Sequence, residues 1–178
     1  MAAALKNIAF EDFNPKIFKL WDKEWLALTS GDFAEKKFNS MTVAWGSFGI
    51  MWNKPFAMVV VRPTRHTFSF INKYDSFSLC AFPENYHEAL NILGSKSGRD
   101  LDKIKAAGLT PAAMEQIAAP GFLEADLVLQ CKRMYWEDLN PERFLDPAIE
   151  KNYPKKDYHR MVFGEILSIQ GDEDKYSR

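Results

Sequence analysis

Three short segments hold the residues whose types and spacing could do chemistry. In Arg62-Pro63-Thr64-Arg65-His66-Thr67 an apolar run ends on an arginine, turns at a proline and enters a polar stretch. A helix starting near Thr67, with Thr64 as its N-cap, would offer free N–H groups and partial positive charge to an anion. Arg62 and Arg65 add planar donor forks suited to phosphate, and Thr67 adds a hydroxyl. The same residues also suit an ordinary capped helix with two solvated arginines.

The second segment, Ser95-Lys96-Ser97-Gly98-Arg99-Asp100, puts two hydroxyls, two cations and a glycine close together. Backbone amides at such a turn can form an anion-binding nest, and the alternative is a solvated basic loop. Asp100 caps a helix beginning near Leu101 in this reading, or else orients Arg99. The third segment, Asn39-Ser40-Met41-Thr42-Val43-Ala44-Trp45-Gly46, reads as a strand ending in an aromatic ring and a glycine. Glycine there permits close approach of a ligand or of another backbone.

Other chemistries lack their motifs. There is no G-x-G-x-x-G and no Walker A sequence. Gly94-Ser95-Lys96-Ser97-Gly98 has the outline of a nucleophile elbow, but Lys96 stands where the nucleophile would be. His66, His87 and His159 have no metal-ligand spacing, and Cys80 and Cys131 form no C-x-x-C pair. No metal site is expected, so redox chemistry on this chain calls for an organic cofactor.

These segments need elements to position them. Asn14-Pro15 reads as a helix start, and Ile17, Leu20, Trp21, Trp25 and Leu28 recur at helical spacing, which predicts a helix over about 14–28 closed by Thr29-Ser30-Gly31-Asp32. Strands are expected at Ser40–Trp45, Phe56–Arg62, Phe77–Phe82, Glu124–Trp136 and His159–Gln170. Phe56–Arg62 is β-branched and apolar enough to be covered on both faces, and Pro63 ends it. In the last strand Met161, Phe163, Leu167 and Ile169 are expected on one face. Short helices are expected at Thr67–Lys73, Tyr86–Leu93, Leu101–Ala107 and after Thr110-Pro111. The sum is a mainly β chain, an antiparallel β-barrel decorated by short helices and followed by a polar tail over about 171–178.

Composition bounds the rest. A chain of 178 residues fits a single domain, 1–178. A net charge of −1 does not suit nucleic acid, and no apolar run approaches the roughly 20 residues of a membrane span. Met1–Leu5 is too short for a signal peptide. Two distant cysteines read as buried thiols in a reducing, cytoplasmic setting. The 14 Phe, 6 Tyr and 5 Trp suit a buried flat ring system or a large interface, or simply an aromatic core.

Taken in order, N-x-M-T-x-x-W-G, the turn Asn53-Lys54-Pro55, the strand running into R-P-T-R-x-T, and S-G-R-D resemble the FMN-binding split β-barrels of the flavin reductase-like and flavoredoxin-like family. The resemblance extends from about Trp21 to Ile169 and includes the late His159–Ile166 stretch. It implies FMN rather than FAD, in a groove at the barrel and dimer interface. By that resemblance Thr42, Val43, Ala44 and Trp45, following Asn39, would line the isoalloxazine. Arg62, Pro63, Thr64, Arg65 and Thr67 would hold the ribityl chain and phosphate, and Ser95, Lys96, Ser97, Gly98 and Arg99 would form a second phosphate-side wall. His159 would contact nicotinamide or supply a proton, or else stabilise a strand end. The resemblance further implies an NAD(P)H-dependent oxidoreductase, with an electron carrier of flavoredoxin type or a non-catalytic flavin-binding protein as alternatives. A homodimer is implied too, with which the Trp21/Trp25 stripe agrees, although that helix could instead close the barrel of a monomer.

Overall fold

The structure is a computed structural model that describes residues 5–178. Of Met1–Leu5, expected to be too short for a leader, all but Leu5 lie outside the described residues. The strands are β1 Lys6–Asn7, β2 Leu26–Asp32, β3 Lys37–Val43, β4 Gly46–Met51, β5 Lys54–Val61, β6 Ser76–Ala81, β7 Pro111–Ala112, β8 Gly121–Phe122, β9 Leu127–Asp138 and β10 Arg160–Gly171. The helices are α1 Ile17–Lys19, α2 His66–Lys73, α3 His87–Ser95, α4 Lys103–Ala106 and α5 Glu173–Tyr176.

Eight strands form one antiparallel sheet in the order β3-β2-β6-β9-β10-β5-β4, with β1 added to β10. Its two edges, β3 and β4, are consecutive in sequence and joined only by Ala44-Trp45. The sheet curls into a split barrel whose seam lies beside that corner. One core fills the interior with Leu26, Leu28, Val43, Ala57, Val59, Val61, Phe77, Leu129 and Val162. A second core lies on the outer face of β2 and β6, under α3 and α4, with Ala27, Cys80, Leu90, Leu93 and Ile104. Each Val, Leu, Ile or Phe side chain among them contributes about 1.5–3 kcal/mol on burial.

The N-terminal region departs from the expected helix. After α1 come one π-helical turn, Leu20–Glu24, and Trp25 at φ 62°, and then the chain becomes β2. Leu26 through Ser30 are all buried, because β2 sits between β3 and β6 and is covered on both faces. A strand of that kind has no alternation, so its apolar spacing mimics a helix. Trp21 is accordingly a core residue, 5% exposed, rather than part of an outward stripe with Trp25. Strand β4 is not expected from the sequence, and its Gly46 is needed because a Cβ there would stand 2.4 Å from both the Trp21 indole and the carbonyl oxygen of Met58.

Four further differences have local causes. Pro111 opens a strand, β7, paired with β8, rather than a helix. Helix α3 continues past Gly94 to Ser95. On β10 the register shifts between Ile166 and Ser168, so Leu167 is an inserted residue; Ile169 points inward, whereas Met161 and Phe163 alternate with the buried Val162 and Gly164. The expected polar tail is folded in: Tyr176 is 2% exposed, its hydroxyl donates to Asp126 Oδ1 at 2.9 Å, and its carbonyl accepts from the Asn14 N–H. Cys80 belongs to the outer core and Cys131 to the inner one; both are free and buried.

Candidate active site

At the seam of the barrel the end of β3, the Ala44-Trp45 corner, β5 and the start of β10 enclose a slot of about 180 Å³. It is lined by Met41, Thr42, Val43, Ala44, Trp45, Val60, Arg62, Arg65 and His159. Because β3 is an edge strand, alternate backbone N–H groups point away from β2 and are available to a ligand. Thr42 is held by its Oγ1 donating to the Leu90 carbonyl at 2.5 Å, which anchors β3 to α3. The Trp45 ring, half exposed, lies 5.2 Å from the His159 ring.

His159 is 8% exposed, and its Nδ1 lies 2.8 Å from the hydroxyl of buried Tyr153. Burial, with Arg62 close by, pushes its pKa down to about 4 despite the opposing effect of Asp157. It is therefore a neutral imidazole at pH 7. Arg62 forms a two-pronged ion pair with Asp157, both contacts at 3.0 Å, donates to the Asn152 carbonyl at 2.7 Å and lies over the Tyr153 ring. That pairing holds the Asp157 carboxyl below its ordinary range. The guanidinium is thus engaged by protein groups while its side chain borders the slot.

Next to the slot, and sharing Met41 and Arg65 with it, is a polar pocket of about 130 Å³. The start of α2 supplies Thr64, Arg65, His66 and Thr67; the end of α3 and the turn after it supply Ser95, Lys96, Ser97 and Arg99; α4 supplies Lys103. Arg65 Nη1 donates to the Gly94 carbonyl at 2.8 Å, and Arg99 Nη1 donates to the Thr64 carbonyl at 3.2 Å, so each arginine braces the opposite wall. Lys103 is 4% exposed, and its Nζ donates to the carbonyls of Leu93 at 2.8 Å and Lys96 at 3.2 Å. Burial, with Arg65 nearby, lowers its pKa to about 8. His66 is shifted down from its ordinary value by burial, then by Arg99 and Lys103.

Among the described residues, none of Arg65, Lys96, Arg99 and Lys103 is within 4 Å of a carboxylate. Cations converging on a hydroxyl-lined pocket without a counter-ion fit a bound dianion such as phosphate. The slot, with Trp45 and His159 on its wall, and the cation-lined pocket stand side by side, sharing Met41 and Arg65.

The structure therefore brings all three polar segments together. Pro63 lies in the turn after β5, which ends at Val61, and lines neither cavity. Asn39 and Gly98 stand behind the pocket, lining a neighbouring cavity that shares Lys103. Thr64 is not the cap of α2: Arg65 holds that position, with no side-chain cap. Asp100 is not the cap of α4: Asp102 is, accepting from the Lys105 N–H at 3.1 Å. Sequence spacing does not point to Lys103 or Tyr153. A lysine beside Asp102 on a short helix looks solvated, and Tyr153 lies in a turn-rich stretch; only tertiary packing buries them.

Comparison with known proteins agrees with this geometry. The flavin reductase like domain is matched over residues 26–178. No curated protein sequence matches the chain. Among solved structures, the chain is similar to flavoredoxin of Desulfovibrio vulgaris (Miyazaki F), with TM-score 0.66 and 20% identity over 87% of this chain and 73% of that one. It is similar to an FMN-binding domain of a flavin reductases-like enzyme from Shewanella baltica, with TM-score 0.68 and 16% identity over 97% and 79%. It is also similar to an NADH:FAD oxidoreductase of Streptomyces globisporus, with TM-score 0.65 and 13% identity over 94% and 90%. With its split-barrel sheet and the domain match across most of its length, the chain belongs to the flavin reductase-like family.

Proposed function

We propose that this protein binds FMN in the seam slot and acts as an NAD(P)H-dependent flavin reductase-like oxidoreductase. The observation that carries the reading is that two cavities share Met41 and Arg65 as lining residues, one bordered by Trp45 and His159 and the other by a carboxylate-free cation cluster. Bound FMN would supply hydride acceptance and electron transfer. The chain's own part is positioning. Outward N–H groups near Thr42–Trp45 face the ring and favour negative charge on it. Trp45 covers one edge, and Arg65, Arg99 and Lys103 hold the phosphate. His159, neutral at pH 7, is a hydrogen-bonding group rather than a proton source.

Titration of the purified protein with FMN, followed by anaerobic mixing with NADH or NADPH, tests the reading. Loss of absorbance near about 450 nm with either donor supports the reductase. No bleaching with either favours a flavoredoxin-type carrier, a second reading to which the half-exposed Trp45 beside the slot gives support. A protein that takes up no FMN at micromolar concentration rejects both. Two free, buried thiols agree with a cytoplasmic setting, and no helix among the described residues is long and apolar enough to cross a membrane.

The working form is proposed to be a homodimer. The Trp21/Trp25 stripe does not support it, since Trp21 is buried in the core. The support comes from the outer face of β5 and β10. There Met58, Val60, Met161 and Phe163 alternate with buried partners, and half-exposed Tyr135 and Trp52 extend the apolar surface. Val60 also borders the slot, so a second copy on this face would wall the flavin in. Size-exclusion chromatography with light scattering decides between one chain and two.

A further inference from the structure

We infer that Tyr153 is a positioning residue: it locks His159 in the tautomer that carries its proton on Nε2, so that the slot holds a fixed, neutral N–H donor for a carbonyl oxygen of the bound ring. The inference rests on the proposal that the ring is a flavin.

It begins with an accounting of partners. Among the described residues the Tyr153 hydroxyl is within hydrogen-bond distance of one group, His159 Nδ1 at 2.8 Å, and the residue is 3% exposed. A phenol can donate or accept, and a neutral imidazole has one nitrogen of each kind. If Nδ1 carried the proton, the phenol would accept it and its own proton would have no partner among the described residues, a buried loss of about 1–3 kcal/mol. If the phenol donates, both groups are satisfied and the imidazole proton sits on Nε2. That nitrogen has no partner among the described residues and is not among the fully buried unpartnered atoms, which leaves it to the slot that His159 lines.

The surroundings hold this arrangement still. Tyr153 is stacked on Phe144 at 6.0 Å, and the Arg62 guanidinium lies 5.2 Å from its ring centre, itself pinned by Asp157. The phenol is shifted above its ordinary value, chiefly by burial, and so keeps its proton. The depressed pKa of His159 keeps the ring neutral, which makes tautomer rather than charge the variable that matters. Trp45 packs against the imidazole from the slot side. A donor so placed complements the carbonyl oxygens of an isoalloxazine and cannot accept from its ring N–H.

The test is histidine-selective ¹⁵N NMR on the full chain without flavin, where only three histidines report and His159 is assigned by its loss in His159→Gln. The expected spectrum shows His159 Nδ1 unprotonated and Nε2 protonated. In Tyr153→Phe both nitrogens should move toward exchange-averaged shifts, and FMN should bind about tenfold more weakly. A protonated Nδ1 in the unaltered protein, or the same fixed tautomer in Tyr153→Phe, overturns the lock. An unchanged FMN affinity in Tyr153→Phe overturns the donor role. Should Tyr153→Phe fail to fold, the unaltered protein's spectrum still decides the tautomer. If neither protein binds FMN, the flavin reading fails, and the donor role with it, while the flavin-free spectra decide the lock by themselves.

Discussion

Asn39 Nδ2 donates to Thr67 Oγ1 across 2.7 Å, tying the edge strand β3 to the first turn of α2. Its Oδ1 lies against Gly98, in the turn that follows α3. One buried amide thus touches all three polar segments. Asn39→Ala leaves Thr67, 0% exposed, without its partner. The expected cost is about 1–3 kcal/mol of stability, read as a lower denaturant midpoint at unchanged slope. FMN binding should weaken with it, because the pocket walls are no longer held in register. A variant as stable as the parent would show that the amide is not what joins them.

Gly98 makes the complementary case. A Cβ there would stand 2.1 Å from Asn39 Oδ1 and 3.1 Å from the His66 ring. Asn39 is fixed by its bond to Thr67 and has little room to move. Gly98→Ala should destabilise by about 1–3 kcal/mol, and the loss should shrink when Asn39 is also shortened to Ala. Additive losses in the double variant would argue against this contact.

Arg65 and Arg99 carry the phosphate assignment. Each charge-assisted bond is worth about 1.5–3 kcal/mol, so Arg65→Ala with Arg99→Ala should cost at least about a hundredfold in FMN affinity. Both side chains are exposed at the pocket rim, and stability should change little. FMN content unchanged after dialysis of the double variant would remove the assignment.

Lys103 predicts a pH dependence. Its folded pKa is depressed to about 8, so the flavin-free protein loses this charge as pH rises through that value. Phosphate is a dianion above its second pKa of about 6 and binds the protonated form better. Affinity for FMN should therefore fall from pH 7 to pH 9, and in Lys103→Met the fall should be absent. The folding term has the opposite sign. A lysine with a lowered folded pKa binds fewer protons folded than unfolded, so its contribution to stability rises with pH between about 8 and the ordinary lysine value of about 10.4.

The thiols should be silent. Burial pushes Cys80 up to about 12 and Cys131 above its ordinary range as well, and the two point into different cores. A thiol reagent at pH 8 should label neither in the native protein and both after unfolding. Rapid labelling of either in the folded state would contradict the packing described.

By itself the sequence determined the β-rich class, strands β3, β5, β6, β9 and β10 to within a few residues, and the polar segments that surround the pocket. Those strands carry β-branched or alternating residues, and a basic turn with hydroxyls and a glycine is a local signal. What only the tertiary structure decided is anything set by a neighbour distant in sequence. β2 reads as helix until β3 and β6 cover it; β4 stays silent until Gly46 is seen against Trp21; Leu167 shifts its strand through a pairing with β9. The same holds for the site. Lys103 becomes a buried cation only when α4 packs under the turn after α3, and Tyr153 reaches His159 only because the turn-rich stretch folds back over the seam. Spacing reports the period of one element, whereas burial and hydrogen-bond partners belong to pairs of elements.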